Sequence, residues 1–329
     1  MLIDSHNRLI DYLRISVTDR CNLRCVYCMP AEGIEPFPHD QILRYEEIIR
    51  VARIAVGLGV KKIRLTGGEP LIRKDLPFLI RELSGLPGIE DLSMTTNGMR
   101  LAEFAETLKG AGLHRVNVSL DSLKPLRYRD LTRGGDLQRV WDGLMAAQEA
   151  GMRPIKVNVV AIQDMNADEI LPFARLTLQW PFEVRFIEWM PLSGTLQWGL
   201  RSFVPSDRIL EALRAEFSVE PVGSARGNGP ARVFRILGGR GTVGVISPVT
   251  RHFCDTCNRL RLTADGKLRG CLFSDEELDL KRLMRSQGSD EQIQAHLQKA
   301  ILNKPKGHRL HARDSRVKKC MRPMNRIGG

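Results

Sequence analysis

The chain has 329 residues, enough for one large domain or two of ordinary size. Hydrophobic residues make up 43% and charged residues 27%, the balance of a globular protein, and no apolar run approaches the roughly 20 residues needed to span a bilayer. The start, MLIDSHNRLIDYLR, lacks the basic-then-apolar pattern of a signal peptide, so a cytoplasmic location and no membrane partner are expected. The net charge of +12 is uneven: residues 299–329 hold ten Lys or Arg and one acid, Asp314. Such a tail reads either as a solvated end or as an arm attracted to phosphate.

In chain order, short β-branched runs predict strands over 13–17, 62–66, 91–95, 115–119, 155–160 and 183–187. Amphipathic stretches between them predict helices over 45–58, 76–83, 101–111, 137–150 and 168–178, the last capped by Asp168. Strands separated by helices imply parallel pairing with right-handed crossovers. Periodicity alone also allows a doubly wound sheet. Chemically suggestive residues recur just after successive strands, however, where barrel active sites sit, so an incomplete parallel (βα)6 barrel of TIM type is the expected α/β fold. After Pro191 the pattern loosens into a helix near 206–217, hairpin-like strands at 232–236 and 242–246, and helices at 278–285 and 290–302. The expected division is a barrel over residues 1–229 and a smaller α+β region over 230–329.

Six of the seven cysteines form two sets of three. Cys21, Cys25 and Cys28 are spaced C-x-x-x-C-x-x-C in a loop after the first strand. Three thiolates at this spacing suit one soft metal centre, and three on a [4Fe–4S] cubane leave one iron open. A closed zinc site wants four ligands, and the nearest histidine, His39, lies outside the motif.

The segment LRISVTDRCNLRCVYCMP resembles the cluster loop of the radical S-adenosylmethionine superfamily, including the aromatic before the last cysteine. The resemblance implies that the open iron binds S-adenosylmethionine. An electron from the cluster then cleaves the sulfonium to give a 5′-deoxyadenosyl radical. It further implies Tyr27 against the adenine, and Gly68 and Glu69 of the GGEP segment at the methionine amino group. Ser119 after the fourth strand and Met190 after the sixth would complete the cofactor site. Taken singly, GGEP reads as a turn, Ser119 as an ordinary strand end and Met190 as core filler.

Cys254 and Cys257 form C-x-x-C, with Cys271 thirteen intervening residues on. Spacing alone leaves zinc and an iron–sulfur cluster both open here, because His252 offers a fourth zinc ligand. Arg259 and Arg261 place two guanidinium groups on one face of the strand that follows, which suits an anionic ligand beside a metal centre.

The two triads together with the terminal Ile327, Gly328 and Gly329 make the whole chain resemble the GTP 3′,8-cyclase family of that superfamily. The resemblance implies a second [4Fe–4S] cluster that binds the guanine of GTP. The radical would take the 3′ hydrogen of the ribose, which then attacks carbon 8 of guanine. Cyclic pyranopterin monophosphate synthase would be the downstream enzyme in molybdenum-cofactor synthesis, and a reductant for the clusters is required. The GTP site carries over to Arg14, Arg64, Thr95, Lys156, Arg259, Leu260 and Arg261. The tail residues Arg322, Gly328 and Gly329 would enter the active site, with Arg322 reaching inward. No G-x-x-x-x-G-K-[ST] occurs, so a P-loop is excluded. Cys320 matches no ligand position.

Two other readings compete. One is a peptide-modifying radical enzyme with an auxiliary cluster. The other is a basic zinc-containing nucleic-acid-binding protein, which leaves the first triad unexplained and lacks aromatic platforms; no nucleic-acid partner is expected. The oligomeric state stays open, a homodimer included.

Overall fold

The computed structural model describes residues 1–190, 202–223, 229–308 and 322–328, so Cys320 and Gly329 lie outside the described residues. Six strands run in parallel: β1 Tyr12–Ser16, β2 Lys62–Thr66, β3 Asp91–Thr96, β4 Arg115–Ser119, β5 Lys156–Ala161 and β6 Glu183–Glu188. Between them lie α1 Tyr45–Gly57, α2 Leu76–Ser84, α3 Leu101–Gly110, α4 Pro125–Thr132, α5 Leu137–Glu149, α6 Gln163–Asn166 and α7 Ile170–Gln179. The sequence reading omits α4, whose apolar residues are too few to mark a helical stripe. Asp168 does not cap α7; its carboxylate pairs with Lys124 and Arg127 instead.

The later chain adds to both edges of this sheet. Helix α8 (Ser206–Glu216) leads to β7 Val219–Pro221, β8 Ala231–Ile236 and β9 Thr242–Ile246; β10 Arg259–Leu262, β11 Lys267–Arg269 and β12 Leu278–Asp279 follow. Helices α9 Leu280–Arg285, α10 Asp290–Leu302 and α11 Met324–Ile327 complete the described chain. The strand order is β12-β11-β10-β1-β2-β3-β4-β5-β6-β9-β8-β7, with β10 parallel to β1 and β9 parallel to β6. This is the partial (βα)6 barrel expected from the sequence, with strands from both sides of Gly229 in one sheet.

The alternation within each strand explains the barrel. In β1, Leu13 and Ile15 are fully buried against the helical layer while Tyr12 and Arg14 face the cavity. In β2, Ile63 and Leu65 do the same and leave Lys62, Arg64 and Thr66 inside. Each buried aliphatic contributes up to about 1.5–3 kcal/mol, and this outer face supplies the stability that lets the inner face stay polar. No helix among the described residues is long and apolar enough to cross a membrane.

Candidate active site

The inward faces of the strands border a cavity of about 1430 Å³, lined by all six triad cysteines. Strand direction separates the triads. Cys21, Cys25 and Cys28 follow the carboxyl end of β1, whereas Cys254 and Cys257 precede the amino end of β10, which runs parallel to β1. The cavity therefore links two cysteine sites at opposite mouths of the barrel.

The first loop is pinned from below by the paired glycines. Gly68 N–H donates to Thr18 O (2.7 Å) and Glu69 N–H to Arg20 O (2.8 Å). A Cβ on Gly68 would stand 2.1 Å from Arg20 O, so only glycine lets the cluster loop lie this close. The glycines thus serve the loop's own backbone, although Gly68 also borders the cavity. Glu69 is held within the protein. It is 1% exposed, lies off the cavity wall, and accepts from Leu71 N, Thr96 Oγ1 and Asn97 N. Three internal donors hold the carboxylate, two on Oε1 and one on Oε2, and tie β2 to β3. Tyr27 donates to Asp121 Oδ2 at 2.5 Å, and burial holds Asp121 up to about 6. Ser119 and Met190 both line the cavity.

Burial pushes the Cys28 thiol up to about 12 and Cys25 well above its usual value. Thiols so placed ionise at neutral pH only when a metal takes the thiolate. In the second triad burial also raises Cys254, whereas at Cys257 the push from burial is outweighed by Arg259 and Lys304, leaving that thiol below its usual value. Among the described residues, the one group of three metal-binding side chains with all ligand atoms within 4.8 Å of one another is His252, Cys254 and His308. Neither triad closes to that distance. Tetrahedral zinc, at about 2.3 Å per sulfur, would hold its sulfurs within about 4 Å of each other. That spread is wider than one zinc ion would hold, and all six cysteines are half-buried on the cavity wall.

Between the triads lies a row of cations. Arg261 on β10, Arg14 on β1 and Arg64 on β2 stand abreast in register. Burial first, and the neighbouring arginines second, hold Arg14 well below the usual guanidinium range. Burial likewise brings Arg64 and Arg261 to about 10. A buried row of like charges is costly unless an anion sits against it. Lys156 on β5 is held down to about 7 by burial and then by Arg185, and pairs with Glu183 at 3.2 Å. Thr95 presents to the same cavity a buried hydroxyl with no hydrogen-bond partner among the described residues. Arg259 lies over the Phe253 ring at 5.0 Å. Leu260 differs from its two neighbours: it is 1% exposed, and its side chain packs in the core away from the cavity. Only its backbone is available to a ligand.

Sequence reasoning missed Lys62, Arg115 and Arg185, which line the same space. Their signal was present, since each is a charged residue at an inward position of a strand whose outward neighbours are apolar.

The tail enters this cavity. Gly328 O accepts from Arg261 Nη1, and Ile327, 1% exposed, packs against Met190, Leu272, Phe273 and Met324. Asn325 Nδ2 donates to Asp19 O (2.8 Å), and its backbone N–H reaches the Cys28 thiol. Arg322 does not reach inward. It forms a two-point contact with Asp265 (2.9 and 2.8 Å), adds a third to Glu277 at 2.7 Å, and lies off the cavity wall.

A partial barrel whose first strand leads into an open three-cysteine loop defines the radical S-adenosylmethionine class. The model of the Radical SAM superfamily matches residues 15–177, and that of Molybdenum Cofactor Synthesis C matches residues 182–310. Curated relatives called GTP 3′,8-cyclase include one from Pelotomaculum thermopropionicum, 48% identical over 329 residues and covering 99% of each chain. Another, from Listeria monocytogenes serotype 4b, is 49% identical over 334 residues, covering 100% of this chain and 99% of the relative. The chain belongs to the GTP 3′,8-cyclase family. Among solved structures, Streptococcus suis SuiB bound to S-adenosylmethionine aligns with a TM-score of 0.61 at 15% identity, over 89% of this chain and 69% of that one. Native anSMEcpe with bound AdoMet aligns at 0.60 and 16%, over 90% and 81%. Likeness at that identity shows the fold alone, so the peptide-modifying alternative gains nothing from it.

Proposed function

We infer that this cavity converts GTP to (8S)-3′,8-cyclo-7,8-dihydroguanosine 5′-triphosphate, the first step of molybdenum-cofactor biosynthesis. The cofactors are two [4Fe–4S] clusters and S-adenosylmethionine. The observation that carries the reading is the buried row Arg261–Arg14–Arg64, set between two open cysteine triads in one cavity. A triphosphate matches this row in charge, and a long substrate spans both triads.

Cys21, Cys25 and Cys28 would hold the first cluster, and Cys254, Cys257 and Cys271 the second. When bound at the first triad, the cluster and S-adenosylmethionine would supply the radical chemistry at the ribose 3′ carbon. The protein's part is placement. Gly68 and its neighbour seat the cluster loop, and Asp121 fixes the Tyr27 ring beside the expected adenine. Ser119 and Met190, which line the cavity, would border the cofactor. The arginine row and Lys156 hold the triphosphate, Thr95 offers its hydroxyl to the ribose side, and Arg259 flanks the guanine end. Ile327 and Gly328 would narrow this end of the space and keep the bound groups in place.

We further propose that residues 1–229 form the S-adenosylmethionine barrel unit and residues 230–329 the region that carries the second cluster and the Gly-Gly tail, with GTP held by side chains from both. The product passes to cyclic pyranopterin monophosphate synthase, the clusters draw on a low-potential reductant, and the enzyme works in the cytoplasm. An anaerobic assay with GTP, S-adenosylmethionine and dithionite tests the function. It should give 5′-deoxyadenosine and the cyclised nucleotide together; 5′-deoxyadenosine formed without consumption of GTP overturns the substrate assignment.

A further inference from the structure

Two buried cations grip the loops of the second triad, and they differ in how their charge is met. Arg8, 6% exposed, donates to Cys254 O (2.7 Å), Lys306 O (2.9 Å) and Pro305 O (2.8 Å). Its charge is matched by Asp4 at 2.6 Å. Lys304, just past α10, is 3% exposed. Its three N–H donors meet Gly270 O (2.5 Å), Arg259 O (2.9 Å) and Cys257 Sγ (3.5 Å). No carboxylate among the described residues forms an ion pair with it. Gly270 immediately precedes Cys271, so one ammonium joins the backbone beside two triad cysteines and touches the sulfur of one of them.

The first triad is built differently. Cys21 Sγ accepts from neutral donors, Leu23 N–H at 3.4 Å and Asn97 Nδ2 at 3.9 Å. The buried carboxyl groups Glu69 and Asp121 stand near its thiols. Arg24 also donates to Cys21 O at 2.7 Å, so the two triads differ in what reaches sulfur: neutral donors at Cys21, an ammonium at Cys257.

On the reading that the second triad holds a cluster, we propose that Lys304 is a positioning residue that raises the reduction potential of that cluster. Reduction adds one negative charge to the centre. A fixed positive charge against a ligand sulfur, on a residue only 3% exposed, stabilises the reduced form more than the oxidised form. The two carbonyls aim the third N–H at sulfur, so the effect is built into the backbone of the triad. Burying an ammonium merely to join two carbonyls would be a poor exchange, because a neutral amide does that without desolvating a charge. The thiolate accounts for the lysine.

The test uses the anaerobically reconstituted full chain. Wild type is read first, and about eight irons per chain, two cubanes, is the premise; about four irons with one zinc defeats the proposed function rather than this inference. A redox titration followed by electron paramagnetic resonance then separates the clusters, the second by its response to GTP and the first by its response to S-adenosylmethionine. Lys304→Met and Lys304→Gln should move the second cluster to a more negative potential and leave the first unmoved. Lys304→Arg should restore most of the shift. Arg8→Met is the control: it lowers iron retention by loosening the Cys254 loop, but clusters that remain keep their potential, since Asp4 already cancels that charge. An unmoved second cluster in Lys304→Met or Lys304→Gln overturns the proposal, as do equal shifts at both clusters. If neither neutral variant retains the cluster, Lys304 is a structural clip and the proposal fails.

Discussion

Arg261 donates from Nη1 to the carbonyl oxygen of Gly328 at 2.5 Å, so a side chain in the triphosphate row also holds the end of the described chain. Gly328 has φ +81°, and a Cβ there would meet Ser16 Cβ and Thr66 Cγ2, each at 2.9 Å. Position 328 thus has room for glycine alone.

Replacing Gly328 with Ala should displace the tail. The left-handed backbone costs an alanine about 1 kcal/mol, and the methyl overlap adds to it, so cyclisation should fall roughly tenfold or more. Binding of GTP, measured by equilibrium dialysis, should fall much less because Arg14, Arg64 and Arg259 remain. Normal turnover in Gly328→Ala would return the tail to a solvated end.

The triads separate by metal and by ligand. Cys21→Ser, Cys25→Ser or Cys28→Ser should abolish release of 5′-deoxyadenosine and leave about four irons per chain, since oxygen holds a soft iron centre poorly. Cys254→Ser, Cys257→Ser or Cys271→Ser should end cyclisation while S-adenosylmethionine still binds. Zinc near one per chain in anaerobically purified protein would contradict the second cluster.

How far the sequence carried is visible in particular residues. The six parallel strands were legible because apolar and polar residues alternate, and the outward apolar set (Leu13, Ile15, Ile63, Leu65) is nearly unbroken. The cysteine triads were legible because their ligands are close in sequence. Pairings between distant segments were not. Nothing local tells that Arg8 reaches Cys254, 246 residues away, or that Lys304 reaches Cys257. Strands β11 and β12, of three and two residues, are too short for any period to register. The partners of Glu69, Thr96 and Asn97, were hidden for a related reason: they come from another strand and the loop after it.

Lys156 makes GTP binding depend on pH near neutrality. With its ammonium held down to about 7, first by burial and then by Arg185, the side chain is charged below that pH and neutral above it. A polyanion binds the charged form better, so affinity should rise as pH falls through 7, and binding above pH 7 should take up a proton. Calorimetry in buffers of different ionisation enthalpy reads that uptake directly. Lys156→Met should weaken binding by about tenfold and flatten the dependence. A wild-type profile already flat between about pH 6 and 8.5 would remove Lys156 from the phosphate site.

Arg322 was expected to reach the substrate, but its guanidinium is taken by Asp265 and Glu277, beside the β10–β11 hairpin that carries Arg261. This makes it a latch that sets where the tail enters. A latch and an inward catalytic group make different predictions. If Arg322 acts on substrate, only its own replacement should matter. If it acts by anchoring the tail, Asp265→Asn combined with Glu277→Gln should reduce cyclisation about as much as Arg322→Met does. The double variant Arg322→Met, Gly328→Ala should then be little worse than either single change, because both release the same segment and their effects do not add. Affinity for GTP should change little throughout, since none of the three side chains lines the cavity. The assay is anaerobic cyclisation beside GTP binding. Wild-type turnover in the Asp265→Asn, Glu277→Gln protein would refute the latch.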